Sequence, residues 1–230
     1  MVLLDKDVPV ALAYAATALL AALLVWVGQE RLLWRRLWQG RSVALLLLLL
    51  FLWGLSINVS RGASAGLGLH LIGMTLACLM LQARTALGVL LLVCVAFYAP
   101  SAWHGQQWLV LPVNVLLAVL PAWLVNMALM ALMRRVLPKH LFVFILGNGF
   151  VTAGVSMVFT GLCLASALAL TGRFSAYVIQ QEVLPVFLLL MWGEGFLTGL
   201  LVAVMVAFKP TWLDAYSDEV YLPRAPERRW

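Results

Sequence analysis

The sequence predicts an all-α membrane protein, a bundle of seven transmembrane helices with the amino terminus outside and the carboxyl terminus in the cytoplasm. Of 230 residues, 65% are hydrophobic and 10% are charged, whereas an average soluble domain is roughly 25% charged. Seven apolar runs approach or exceed the ~20 residues that a helix needs to cross a bilayer. The basic residues cluster in alternate gaps between these runs, which gives the orientation.

The chain is interpreted as a single integral-membrane domain, residues 1–230, that ends in a polar cytoplasmic tail over residues 209–230. We predict spans over residues 8–28, 43–59, 66–81, 85–99, 108–133, 141–170 and 182–208. The first run is too long for the ~7–15-residue apolar core of a signal peptide. The third and fourth runs are short for a ~30 Å hydrocarbon core, so a single re-entrant element is the alternative to two full spans.

The orientation rests on an uneven distribution of Lys and Arg over the two sets of gaps. One set holds twelve basic residues: Arg31, Arg35, Arg36, Arg41, Arg84, Arg134, Arg135, Lys139, Lys209, Arg224, Arg228 and Arg229. The other set holds Lys6, Arg61 and Arg173. Cytoplasmic loops carry the excess of basic residues, so the first set faces the cytoplasm. An even number of spans would destroy this partition.

Small residues recur on one face of the first predicted helix. Ala11 and Ala15, and then Ala18 and Ala22, are spaced four apart, a pattern that lets another helix approach closely. This face is a candidate docking surface for a partner helix, and plain alanine filler is the alternative.

Composition and motifs argue against other classes of protein. The net charge of +6 comes from short gaps and not from a basic stripe with interleaved aromatic residues, so nucleic-acid binding is not indicated. Cys78, Cys94 and Cys163 lie inside apolar runs without CxxC spacing, which indicates neither a disulfide framework nor a zinc finger. The catalytic motif HExxH and a phosphate-binding loop do not occur, so we do not expect an enzyme.

His70 is the leading candidate for a functional residue. On helical spacing it shares one face of the third predicted helix with Gly66, Gly73 and Ala77, so the imidazole should point into the bundle. An ionisable residue inside a membrane is by default a functional candidate. A structural histidine bonded to a backbone carbonyl is the alternative.

The predicted orientation places six potential metal ligands toward the outer side of the membrane. Imidazole, thiolate, thioether and carboxylate groups together suit a borderline or soft transition metal. These candidates are His70, Met74, His104, Asn114, Cys163 and Glu182, with His70 as the central ligand.

Two further polar features lie deep in the predicted helices. Glu194 sits among glycines near the middle of the seventh run, where a carboxyl group either bonds to backbone or takes part in coupling. On the sixth run a polar stripe of near-helical spacing either lines a path or joins neighbouring helices. We favour a role in joining helices. The stripe consists of Asn148, Thr152, Ser156, Thr160 and Cys163.

Several segments resemble one known family. The segment GLGLHLIG over residues 66–73 is similar to the GLSLHFLG segment of bacterial membrane proteins classed with the CbiM-like permeases of energy-coupling-factor transporters. Further similar segments are residues 110–121, RRVLPKHLF (134–142), WGEGFLTGL (192–200), KPTW (209–212) and DEVY (218–221).

The resemblance implies a substrate-binding component of a cobalt- or nickel-type uptake system in the bacterial inner membrane. It implies a transmembrane coupling subunit and cytoplasmic ATPases as partners, and a metal ion as substrate, with no covalently bound cofactor. In better-known members a Met-His start and an internal histidine bind the metal. His70 matches that internal histidine, whereas the start here is Met1-Val2-Leu3-Leu4. The alternative function is a non-transporting assembly protein in which His70 and Glu194 only tie helices together.

Overall fold

The computed structural model describes residues 3, 7–30, 38–55, 57–58, 68–105 and 107–222. Lys6, Arg61, Gly66, Arg31, Arg35, Arg36 and the three arginines of the last seven residues, all used in the predictions above, lie outside these ranges. The described part is mostly helical.

The longest helices form where the apolar runs are long, and shorter helices lie between and after them. They are α1 (Val10–Gly28), α2 (Gly40–Gly54), α3 (Met74–Met80), α4 (Ala83–Gly105), α5 (Leu111–Val136), α6 (Leu141–Leu170), α7 (Ala176–Phe208) and α8 (Asp218–Tyr221). Within α6 the residues Phe144–Val151 form a π-helical segment, and within α7 so do Ile179–Val183. Two short antiparallel strands, β1 (Ile57–Asn58) and β2 (Gly68–Leu69), pair between α2 and α3.

Among the described residues, five helices are long and apolar enough to cross a membrane, namely α1, α4, α5, α6 and α7. The prediction of a helical protein with several membrane-spanning helices is confirmed, whereas the count of seven spans is not. The second predicted span forms α2, a helix of 15 residues that is ~22 Å long at 1.5 Å per residue.

The third predicted span, residues 66–81, is wrong as a continuous helix. Its described part is a strand, a non-helical loop over residues 70–73, and the seven-residue helix α3. Gly73 has φ +75°, a left-handed conformation that ends any helix approaching it. His70 is therefore on a loop, and the helical face expected to hold it with Gly73 and Ala77 does not exist.

The longest helices, α6 and α7, pack against each other through small residues. A side chain at Gly161 of α6 would overlap the ring of Phe187 of α7, and one at Gly195 would press on the Phe150 carbonyl. These glycines allow the close backbone approach that membrane helices use for packing. α5 also packs along α6.

Basic residues meet at one end of the bundle, which we call the basic end. Arg84 at the start of α4 donates to the Trp26 carbonyl near the end of α1 and stacks on the Trp26 ring. Arg134 near the end of α5 borders Gln82 and Asp214. At the opposite end Arg173, between α6 and α7, pairs with Asp7 ahead of α1 at 2.8 Å.

The described part of the tail is folded against the basic end and is not a free extension. Arg41 pairs with Asp214 at 2.5 Å, and the Ala215 amide donates to the Leu79 carbonyl at the end of α3. The rings of Tyr216 and Tyr221 pack on Phe144 with centroids 5.0 and 4.8 Å away. These apolar and ionic contacts fix the tail, which the polarity of its sequence alone did not indicate.

The orientation can be tested by cysteine labelling in intact cells. We expect a cysteine at Gln39, exposed at the basic end, to react with a membrane-impermeant maleimide only after permeabilisation, because this end should face the cytoplasm. A cysteine at Gln181, exposed near the opposite end, is the matched control and should react in intact cells. The reverse pattern would contradict the orientation.

Candidate metal site

Glu194 fixes the loop that carries His70. Its Oε2 accepts a hydrogen bond from the Ile72 amide at 2.9 Å, and its Oε1 accepts one from the Gly73 amide at 2.6 Å. Consecutive backbone amides beside a left-handed residue form a concave site suited to an anionic group. Glu194 is 4% exposed, so the loop is joined to the middle of α7 by two buried hydrogen bonds.

Gly73 cannot be replaced by a larger residue without disturbing this arrangement. Its φ of +75° disfavours residues with a Cβ, and a Cβ there would overlap the Leu49 side chain. The Gly73 carbonyl accepts from the Ala77 amide at 3.1 Å and begins α3. The glycine therefore combines the left-handed turn with a close approach to α2.

Trp53 holds the same loop from α2. Its indole nitrogen donates to the Ile72 carbonyl at 3.2 Å, and its ring lies on the His70 imidazole with centroids 3.9 Å apart. Phe97 meets the imidazole edge-on at 5.6 Å, and Tyr98 meets Trp53 at 6.2 Å. The imidazole is thus packed in an aromatic cluster that restricts its rotation.

The hydrogen bonding of His70 determines which ring nitrogen is free. Nδ1 lies 3.1 Å from the Leu71 carbonyl oxygen. A carbonyl can only accept, so Nδ1 carries the proton and Nε2 keeps its lone pair. A neutral imidazole with Nδ1–H bonded to a carbonyl is the usual arrangement of a histidine that binds a metal through Nε2.

His70 lines a cavity of about 40 Å³ between the loop, α4, α5, α6 and α7. Its polar or metal-binding lining groups are His70, Tyr98, Asn114, Met157 and Thr160. We call it the His70 cavity. A larger apolar groove of about 370 Å³ also borders His70, but leucine and aromatic side chains such as Leu52, Trp192 and Phe196 dominate its lining. The smaller cavity offers more oxygen and sulfur donors for a cation.

Asn114 connects this cavity to the amino-terminal segment. Its Oδ1 accepts from the Leu3 amide at 2.9 Å, and its Nδ2 donates to the Leu3 carbonyl at 3.1 Å. Leu3 is 2% exposed. Asn114 therefore holds the beginning of the chain beside the His70 cavity, and its amide group is engaged in doing so.

The six predicted ligands are not brought together. His70 and Asn114 share the cavity, whereas the other four are absent from its described lining. Met74 is buried in α3, His104 is exposed near the end of α4, and Glu182 and Cys163 are half-buried on α7 and α6. Among the described residues no group of three or more His, Cys, Asp or Glu side chains converges, because these residues lie on separate elements with different depths.

Sequence reasoning missed the residues that build the site around His70. Trp53 and Tyr98 gave no signal, since aromatic residues are frequent in such helices. Glu194 was predicted to be a buried polar residue. Its hydrogen-bond partners could not be predicted, because they are two backbone amides more than 120 positions away in the sequence. The glycines around His70 were the available sign of a loop.

Comparison with known proteins decides the family. The family model CbiM, described as the cobalt uptake substrate-specific transmembrane region, matches residues 5–212. The chain belongs to the CbiM family. Neither a curated protein nor a solved structure matches it.

As a CbiM-family protein, the chain is a multi-pass transmembrane component of a cobalt uptake system of the energy-coupling-factor type. The resemblance stated from the sequence is confirmed. CbiM is a family of transport permeases and not of enzymes, and a transition metal enters such a system as substrate. Nickel is chemically compatible with the same class of site.

Substitution of Glu194 tests its role in this CbiM-family chain. Glu194→Ala should leave two buried amides unpaired, at about 1–3 kcal/mol each. Glu194→Gln keeps one acceptor but places an NH₂ group against the other amide, so it should be intermediate. The midpoint of thermal unfolding in detergent should therefore be highest for the wild type, intermediate for Glu194→Gln and lowest for Glu194→Ala. Glu219→Gln, at an exposed position of α8, is the control and should match the wild type. Wild-type melting of Glu194→Ala would show that these hydrogen bonds do not stabilise the fold.

Proposed function

We propose that this chain binds a cobalt-type divalent cation, with His70 as a ligand through Nε2, and delivers it for uptake across the bacterial inner membrane. The observation that carries the proposal is the free Nε2 of an oriented imidazole at a small interior cavity, in a chain of a cobalt-uptake family. With the basic end in the cytoplasm, the His70 cavity lies on the outer side, where the substrate arrives.

The size of the cavity favours an ion over an organic nutrient. Pockets for organic ligands measure roughly 300–1,000 Å³, whereas the His70 cavity measures about 40 Å³. That volume admits an ion with very few water molecules. Imidazole nitrogen is a good ligand for borderline metals such as cobalt and nickel, and the Met157 thioether and the Tyr98 and Thr160 hydroxyls are neutral groups at the same cavity.

Within this proposal the predicted ligands have different roles. His70 is the ligand, and Asn114 is a positioning residue because its amide is bonded to Leu3. Glu194 and Trp53 are positioning residues for the loop. The non-transporting alternative would need His70 only as a packing residue, and membership in a transport family favours the first function.

We further propose that a coupling subunit and cytoplasmic ATPases assemble with this chain, and that a helix of the coupling subunit docks on α1. The four alanines of the predicted face, Ala11, Ala15, Ala18 and Ala22, are all exposed. The face that α1 buries in the bundle carries Ala13, Ala16, Leu20 and Val27. At 100° per residue the two faces lie on opposite sides of the helix, so the alanine face is open to a partner.

Cobalt retention by the purified protein tests the role of His70. We expect His70→Ala to lose retention of Co²⁺ through size exclusion, since the nitrogen donor is removed. His104→Ala removes an exposed histidine of α4 and should retain Co²⁺ like the wild type. Circular dichroism confirms that both variants are folded. Equal retention by His70→Ala and the wild type would contradict the proposal.

Co-purification tests the docking face. Ala15→Leu and Ala22→Leu should each reduce recovery of the coupling subunit, because a leucine prevents close helix approach. Ala21→Leu is the matched control, since Ala21 is exposed on α1 but lies about 90° around the helix from the alanine face. A complex that survives both substitutions would rule out this face.

A further inference from the structure

A small cavity lies at the basic end, far from His70, where the turn between α5 and α6 meets the tail. Its polar lining consists of Arg134 and Lys139 around the turn, Asn148 in the π-helical segment of α6, and Tyr221 of α8. We call it the turn cavity. Its enclosed volume is about 20 Å³, which is enough for one group of the size of a water molecule.

Asn148 forms the buried wall of the turn cavity. It is 5% exposed, and its Oδ1 has no hydrogen-bond donor among the described residues. Gly147 leaves room beside it, because a Cβ at this position would lie 3.5 Å from the Met133 sulfur and 3.7 Å from Leu137, two residues that also line the cavity. Buried polar atoms are normally paired, and π-helical segments are frequent at functional sites. The side chain of Asn148 is therefore suited to a ligand that brings a hydrogen-bond donor.

Arg134 and Lys139 give the mouth of the turn cavity a positive charge. Both are exposed, and no acidic residue is among the described residues that line the cavity. Asp214 borders Arg134 on another side, but it pairs with Arg41. The amino-terminal end of α6, which begins at Leu141, adds the partial positive charge of its helix dipole. An anionic group is therefore favoured at the mouth.

The surroundings of the turn are apolar. Val136 just before it and Phe142 just after it are 67% and 65% exposed. Such side chains at the end of membrane helices contact acyl chains, while neighbouring Lys and Arg side chains reach the headgroups. The anion that reaches the turn cavity most readily is therefore the phosphate of a membrane lipid.

We propose that the turn cavity binds the headgroup of an anionic phospholipid that carries headgroup hydroxyls, such as phosphatidylglycerol. The phosphate lies between Arg134 and Lys139 at the mouth, and a glycerol hydroxyl enters the cavity. A hydroxyl can donate to Oδ1 of Asn148 and accept from Nδ2 of the same amide, whereas an ammonium group can only donate. The two cations also repel an ammonium group, so phosphatidylethanolamine is disfavoured. This site does not depend on metal binding at His70.

Native mass spectrometry of the purified full chain, titrated with phosphatidylglycerol, tests the role of the two cations. The double variant Arg134→Gln, Lys139→Gln should bind the lipid about tenfold or more weakly, because each basic residue beside an anionic headgroup contributes a factor of roughly five. Its matched control is Arg135→Gln, Lys209→Gln, with the same change in net charge. Arg135 and Lys209 are also exposed but do not line the cavity, so the control should bind within about twofold of the wild type.

All four substituted residues are exposed, so both double variants should fold. Equal binding by the wild type and Arg134→Gln, Lys139→Gln overturns the proposal. An equal loss in the two double variants also overturns it, since the lipid would then respond only to net charge.

Lipids that differ only in the headgroup test the role of Asn148. Phosphatidylethanol carries the same single negative charge as phosphatidylglycerol but has no headgroup hydroxyl. The wild type should bind phosphatidylglycerol about fivefold more tightly, because a hydrogen bond to Asn148 is gained. Asn148→Leu, with a side chain of similar size, should bind the two lipids equally. Equal binding of the two lipids by the wild type overturns the proposal even where Asn148→Leu does not fold, and so does an unchanged preference in that variant.

Competition with glycerol phosphate separates a lipid site from a site for a soluble phosphate ester. Glycerol phosphate has the phosphate and the hydroxyls but no acyl chains. At millimolar concentration it should leave bound phosphatidylglycerol in place, because the acyl chains add apolar contacts that it lacks. Displacement of the lipid under these conditions assigns the cavity to a soluble phosphate ester and overturns the lipid proposal.

Discussion

The two hydrogen bonds from the Ile72 and Gly73 amides to Glu194 are the constraint on which the site depends. Non-helical backbone at membrane depth persists only where protein groups satisfy its polar atoms. Here one carboxyl group satisfies two consecutive amides, Trp53 satisfies the Ile72 carbonyl, and the His70 ring satisfies the Leu71 carbonyl. The loop can therefore interrupt the bundle without leaving these groups unpaired.

A loop held in this way does what a helix could not do at this position. It leaves the imidazole stacked on Trp53 with Nδ1 occupied, so that Nε2 is the nitrogen available to a ligand. Because Glu194 belongs to α7 and Trp53 to α2, any relative movement of these helices would be transmitted to His70. In the proposed function, metal binding at the His70 cavity would therefore be coupled to the packing of the bundle through these residues.

The length of the apolar runs was sufficient to predict much of the helical fold. The spans that became α1, α5 and α6 were predicted to within three residues at each end, because long apolar runs have few alternatives to a helix in lipid. The prediction of a third helical span failed because Leu69, Leu71 and Ile72 have the same hydropathy in a non-helical segment as in a helix. What decides between them, the Glu194 contact and the left-handed Gly73, depends on tertiary structure. The alanine face of α1 could be predicted from the spacing of residues alone. The lining of the His70 cavity could not, because it depends on how four helices and the loop pack together.

X-ray absorption at the cobalt edge of the Co²⁺-loaded wild-type protein tests the central claim most directly. An imidazole bound through nitrogen adds a characteristic scattering pattern from its outer ring atoms, which oxygen ligands do not give. We expect the pattern of a single imidazole, lost in His70→Ala and kept in His104→Ala. A cobalt shell without imidazole scattering in the wild-type protein would contradict the account.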